Sequence, residues 1–180
     1  MFETIIKTIG YVIAFLMLTS GYDKIKNFSV SKSKIEAYQI IPKKIIKVFL
    51  VLGISIEIFI GLSLLTNFFN LYALILYISL MIIYSFAIFK NILKGNVLIS
   101  CGCGGVLESD FLSKKHLYRN TTLIILGALN YFYSQGTTFT AYQILVMLLI
   151  AVSFIFMYGS LKEYQRQLNT IKKINKRLTI

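Results

Sequence analysis

The chain has 180 residues, 57% of them hydrophobic and only 14% charged, with a mean hydropathy of +0.73. A soluble domain carries about a quarter charged residues, so soluble, disordered and disulfide-dense secreted classes are set aside, and a multi-span membrane protein remains. Lys plus Arg number 19 against 7 for Asp plus Glu, a net charge of +12, which in a membrane protein marks loops held beside anionic lipid rather than contact with nucleic acid.

A crossing needs about 20 mostly apolar residues whose backbone groups are satisfied within one helix. The first such run is Thr4 to Tyr22, with Lys7 near enough to its end to snorkel. Its flanking cations Lys24 and Lys26 follow it rather than precede it, unlike a secretory signal. Pro42 then marks a helix start. Ile45 to Thr66 forms a second span, with Lys47 at its start and Glu57 the one charge in its interior, and after Asn67 and Asn70 a third runs from Leu71 to Phe89. No charge occurs between Arg119 and Lys162. The polar cluster Ser134, Gln135, Gly136, Thr137, Thr138 divides that stretch into a fourth span, Leu117 to Tyr133, and a fifth, Phe139 to Leu161. The expected fold is an all-α integral membrane bundle of four to five transmembrane helices over residues 1–161, followed by a basic amphipathic tail over 162–180.

Two polar segments carry helical signals of their own. Ser33 and Glu36 stand in capping-box spacing and predict a short interfacial helix, Lys34 to Ile41, with Ile35, Tyr38 and Ile41 on one face. In the tail, Leu161, Tyr164, Leu168, Ile171 and Leu178 repeat at helical spacing, with Asn175 in the stripe. Two readings stay open for it: a cationic anchor on anionic lipid, or a short coiled coil that would make the protein an oligomer. With five spans, 18 of the 19 basic residues fall in the first loop, the third loop and the tail, all on one side. The positive-inside rule puts that side, with the C-terminus and both cysteines, in the cytoplasm and the N-terminus outside the cell membrane.

The cysteines, Cys101 and Cys103, lie in Ser100-Cys101-Gly102-Cys103-Gly104-Gly105. Two thiols one residue apart in a glycine-rich loop point to a redox dithiol, with Cys101 and Cys103 as the catalytic pair. Closing a disulfide over one residue loads the backbone, Gly102 relieves that load, and a loaded disulfide exchanges readily. Lys94, Lys114, Lys115 and the loop's N–H groups favour the thiolate, while Glu108 and Asp110 oppose it. The competing readings are a transient metal site, for which His116 is the one histidine, an inert pair and a lipidated loop; no resident metal is expected. Glu57 is the second outlier, because a carboxylate inside a span is costly unless paired. With no basic residue expected at that depth, Tyr77, Tyr84, Ser79 and Asn130 are its candidate partners, in either a structural hydrogen bond or a proton or quinone role. Arg119 and Asn120, opening the fourth span, either snorkel or anchor the cysteine loop.

The order of features resembles the MauE family, a DoxX-like group of redox-associated membrane proteins. The resemblance rests on Gly21-Tyr22-Asp23-Lys24-Ile25, Glu36-Ala37-Tyr38-Gln39-Ile40-Ile41-Pro42, Glu57-Ile58-Phe59-Ile60-Gly61-Leu62, the Cys101-Gly102-Cys103-Gly104-Gly105 loop and Leu117-Tyr118-Arg119-Asn120. It covers about residues 5 to 133 and departs from the family's pattern near Gly104. The resemblance implies support of thiol–disulfide maturation beside a thioredoxin-like or other dithiol partner. In relatives it is linked to a disulfide-rich periplasmic subunit of methylamine dehydrogenase, and a quinone is a possible cofactor by analogy with quinone-linked thiol oxidases. That placement would put the cysteines on the outer face, against the charge count. The reading from a different class is a small cationic membrane protein without redox chemistry, such as an immunity factor or assembly scaffold.

Overall fold

A computed structural model describes residues 2–66, 70–96, 99–105, 112–134 and 140–178. Asn67, Glu108, Asp110, Phe139 and the cluster from Gln135 to Thr138 lie outside the described residues, as does any account of the Asn175 side chain. All the regular secondary structure among the described residues is helical: α1 Phe2–Lys26, α2 Phe28–Tyr38, a 3-10 turn Lys43–Ile45, α3 Ile46–Thr66, α4 Asn70–Leu93, α5 Lys114–Ser134 and α6 Ala141–Leu178. Among the described residues four segments are long and apolar enough to cross a membrane: Glu3–Lys26, Lys43–Thr66, Leu71–Leu93 and Tyr142–Gln165. The fourth expected span forms α5, 21 residues long, but Lys114, Lys115, His116, Arg119 and Asn120 in its first two turns keep it below that apolar standard.

Successive long helices run in alternating directions. Gly61 of α3 meets Ala14 and Leu18 of α1, Tyr84 of α4 meets Glu57 of α3, and Asn120 of α5 meets Ser85 of α4. Helix α6 lies along α1, with Met147 and Ala151 against Tyr11. Helix α1 is therefore the centre, packed on α3, α5 and α6; 56% of its span is buried inside the protein against 11% for α6. The outward faces of α3 and α4 are apolar and exposed, as at Val48, Leu62, Ile75 and Ile82, which suits contact with lipid tails.

Lipid offers helices no hydrophobic reason to associate, so close backbone approach and interhelical hydrogen bonds carry the packing. At Gly127 a Cβ would sit 2.5 Å from the Tyr77 ring, and at Gly61 it would sit 2.6 Å from Leu18 Cγ and 3.1 Å from the Ala14 carbonyl. Tyr77 donates to the Leu123 carbonyl at 2.9 Å. Asn130 donates to the Ile6 carbonyl at 2.8 Å, and Asn120 to Ser85 Oγ at 3.2 Å.

Two expectations for the polar segments are corrected. The helix of the first loop begins after Asn27, not at Lys34, and ends at Tyr38, not Ile41. Ser33 sits mid-helix and donates to the Ser29 carbonyl at 3.1 Å instead of capping. The reason is continuity with α1: the Asn27 N–H still bonds the Asp23 carbonyl at 2.9 Å, so the next helix starts almost at once. It stops where Gln39 turns left-handed at φ 51° ahead of Pro42. The fifth span and the basic tail, read as separate elements, form one 38-residue helix. At about 1.5 Å per residue that helix is about 57 Å long, well beyond the ~30 Å hydrocarbon core.

The glycines give a direct test of this packing. Gly61→Val should lower stability by about 1–3 kcal/mol through overpacking against Leu18 and the Ala14 backbone. Gly53→Ala, with nothing within 4 Å of a new Cβ, should be neutral or stabilising by up to ~1 kcal/mol. Thermal unfolding in detergent distinguishes the two, and equal losses would contradict the α1–α3 contact.

Candidate functional site

The segment 99–105 lies across the C-terminal end of α1. Cys101 and Cys103 are joined in a disulfide with Cα atoms 5.4 Å apart, inside the usual 4.4–6.8 Å range. Both are buried, at 5% and 6% exposure. Gly102 and Gly104 hold φ of +66° and +73°, a region L side chains rarely occupy. A Cβ at Gly104 would also sit 3.1 Å from the Ser20 carbonyl and 3.3 Å from Lys24 Cε, so only glycine lets the loop lie this close to α1.

Three helices bond the loop, and α4 backs one of them. From α1, Ser20 Oγ bonds the Cys103 carbonyl, and Asp23 Oδ2 accepts the Gly105 N–H at 3.0 Å. Asp23 is itself oriented by Asn27 Nδ2 at 2.8 Å. From α2, Tyr38 OH donates to the Cys101 carbonyl at 2.6 Å, while Asn91 of α4 is buried behind it and donates to the Tyr38 carbonyl at 3.4 Å. From α5, Arg119 Nη2 stands 3.3 Å from Cys103 Sγ and 3.6 Å from Cys101 Sγ. Arg119 thus anchors the cysteine loop, and Asn120 Oδ1 lies 3.5 Å from the same Nη2. A guanidinium at this distance favours the thiolate when the disulfide is reduced.

Directly beneath the loop lies Glu57, fully buried. The sequence suggested no cation at its depth, and the structure corrects this: Lys24, also buried, forms an ion pair with Glu57 Oε1. Lys24 reaches it because α1 extends to Lys26, beyond the end expected for the first span. Tyr84 donates to Glu57 Oε1 at 2.6 Å, and Lys24 Nζ donates to Tyr84 OH at 2.9 Å. Ser20 Oγ lies 3.2 Å from Glu57 Oε2. Its one proton serves either this carboxylate or the Cys103 carbonyl, which links the buried pair to the loop. Of the four partners expected for Glu57, Tyr84 is one; Tyr77 and Asn130 bond backbone carbonyls elsewhere, and no bond joins Ser79 to Glu57.

A cavity of about 420 Å³ opens beside this site between α2, α3 and α4, with Lys24, Tyr38, Tyr84, Cys101 and Gly102 in its wall. Among the described residues no group of three or more His, Cys, Asp or Glu is placed to hold a metal ion. Ser20, Asp23, Lys24 and Tyr38 are the site residues to which the sequence reading gave no site role: Lys24 read as a loop cation and Tyr38 as part of an interfacial face. Their signal was present: Ser20, Asp23, Lys24 and Asn27 recur at helical spacing on one face of an apolar helix, where polar residues are unexpected.

Removing one partner of a buried pair strands the other, typically at a cost of about 3–5 kcal/mol. Glu57→Gln and Lys24→Met should each lower the unfolding temperature, and the double variant should be more stable than the sum of the single losses implies. Additive losses, measured by thermal unfolding of all four proteins, would show that the pair is not coupled.

A family model described as Methylamine utilisation protein MauE matches residues 3–133. No curated protein and no solved structure matches the chain. The family match takes in α1 to α5 with the cysteine loop and the Lys24–Glu57 pair, and on that extent the chain belongs to the MauE family.

Proposed function

We propose that this protein is a membrane-embedded thiol–disulfide exchange component, cycling Cys101 and Cys103 between disulfide and dithiol in exchange with a thioredoxin-like or other dithiol partner. The observation that carries the reading is the Arg119 guanidinium beside both sulfurs, in a loop whose conformation depends on glycine. A staple needs no cation at its sulfurs; an exchanging pair does, because the attacking and leaving species are thiolates. In exchange, a partner thiolate attacks one sulfur and the Cys101–Cys103 bond breaks. The released thiolate is held at Arg119 while the partner's second thiolate attacks the mixed disulfide, which leaves the partner oxidised and Cys101 and Cys103 as the dithiol; the reverse sequence re-oxidises the pair. Because both sulfurs are buried, a protein partner reaches them only once the loop lifts from Ser20 and Tyr38. The family's description names methylamine utilisation, and maturation of a disulfide-rich partner protein is the form this chemistry would give to such a role.

Oxidised protein in detergent should oxidise a reduced thioredoxin. Cys101→Ser and Cys103→Ser should each abolish this, and one of the two, mixed instead with oxidised thioredoxin, should attack its disulfide and trap a reducible mixed disulfide visible by non-reducing electrophoresis. Full activity in the double serine variant would overturn the exchange reading.

We further place the protein in the cell membrane with the cysteine-loop end in the cytoplasm. With Lys24 removed from the count as a buried ion pair, Lys26, Lys32, Lys34, Lys43, Lys44 and Lys47 still crowd the loop region joining α1 to α3, at the same end as the start of α5. In a cysteine-free background, Thr140→Cys should be labelled by an impermeant maleimide in sealed cells and Ser33→Cys only after the membrane is opened. The reverse pattern would place the loop outside.

A further inference from the structure

We propose that the cavity beside Cys101 binds a lipid-soluble quinone, which serves as the electron acceptor for the dithiol. The proposal rests on the exchange reading above and names the co-substrate of that same site.

The cavity's size, about 420 Å³, suits a ligand ring and a short stretch of tail, since small-molecule pockets run from about 300 to 1,000 Å³. Its outer rim is Leu52, Ile83 and Phe86, all exposed on the apolar surface that faces lipid, so the way in is lateral, from the membrane. Its inner wall is Cys101 and Gly102. The sulfurs are nearly closed to water, and an apolar chamber that reaches their loop selects an oxidant that travels in lipid. An acyl chain would satisfy the aliphatic walls but not the inner polar groups. Lys24 and Tyr84 both line the chamber, and Lys24 spends two of its three ammonium protons on Glu57 and Tyr84. The third is suited to a carbonyl oxygen, which a quinone offers and a hydrocarbon tail lacks.

The step balances within these groups. The two thiols give up two electrons and two protons as the Cys101–Cys103 bond forms; the quinone takes up both pairs and leaves as the quinol. No metal or further carrier enters. Thiolate formation beside Arg119 supplies the electron-rich sulfur, and the quinol departs the way the quinone came.

The test uses the full-length protein, reduced, desalted and held in nanodiscs, with short-chain ubiquinone and short-chain menaquinone as probes. Wild-type protein should lose both alkylatable thiols, with one quinone reduced per disulfide formed. Gly53 and Ala87 line the chamber, so Gly53→Phe and Ala87→Leu should slow this oxidation by roughly tenfold or more. The same variants should be oxidised by a small aqueous thiol oxidant within about twofold of the wild-type rate, and should elute as wild type. Failure of both quinones to oxidise wild-type thiols overturns the quinone proposal and leaves a lipid tail as the occupant. Equal rates in the filled variants overturn the assignment to this cavity. If the disulfide resists reduction and re-oxidation by every reagent, the exchange reading fails first, and the two failures are distinguishable.

Discussion

The ion pair between Lys24 and Glu57 is the constraint around which the bundle is organised. Neither charge tolerates an apolar interior alone, so α1 and α3 must meet at a fixed register. That register sets Gly61, one turn farther along α3, against Leu18 and Ala14, about two and three turns back along α1. Tyr84 brings α4 to the same point by donating to the carboxylate while accepting from the ammonium. Three helices are thereby locked at one level, and a hydrogen-bonded network of this kind specifies geometry more sharply than apolar packing does in lipid.

The cysteine loop is built on top of that network. Ser20, one turn before Lys24, touches both Glu57 and the Cys103 carbonyl, and Asp23 secures Gly105. Residues 99–104 form no helix or strand that would satisfy their backbone, and side chains from α1 and α2 bond the carbonyls of Cys101 and Cys103. Glycine at 102 and 104 is the condition for this, one for the turn between the sulfurs and one for the approach to α1. The result is a disulfide shielded from water, flanked by one cation and one apolar chamber. Shielding of this kind suits a pair whose electrons go to a selected acceptor.

The periphery obeys different rules. Helix α6 buries little of itself and continues far beyond the bundle, while α2 serves as a cover, sending Tyr38 down onto the cysteine loop. The end of the molecule that carries the cysteines also receives the basic residues between α1 and α3, Lys26, Lys32, Lys34, Lys43 and Lys44.

What the sequence determined by itself was the class. A 57% hydrophobic chain with nearly all its charges in the breaks between apolar runs has only helical spans available, because unpaired backbone cannot be left in lipid. The Cys-Gly-Cys loop and the lone Glu57 stood out for the same reason: such residues are improbable in that setting without a task. Tertiary structure decided the pairings. Lys24 read as one more loop cation, since periodicity along one helix cannot tell which residue of another helix lies opposite; only the crossing of α1 and α3 brings it to Glu57. Tyr38 and Arg119 converge on the cysteines from positions 63 residues before Cys101 and 16 residues after Cys103. The α2 boundaries escaped as well, because the capping signal at Ser33 and Glu36 was overridden by a helix continuing from α1. Local pattern reports which residues are costly to bury; the fold alone reports what makes burying them possible.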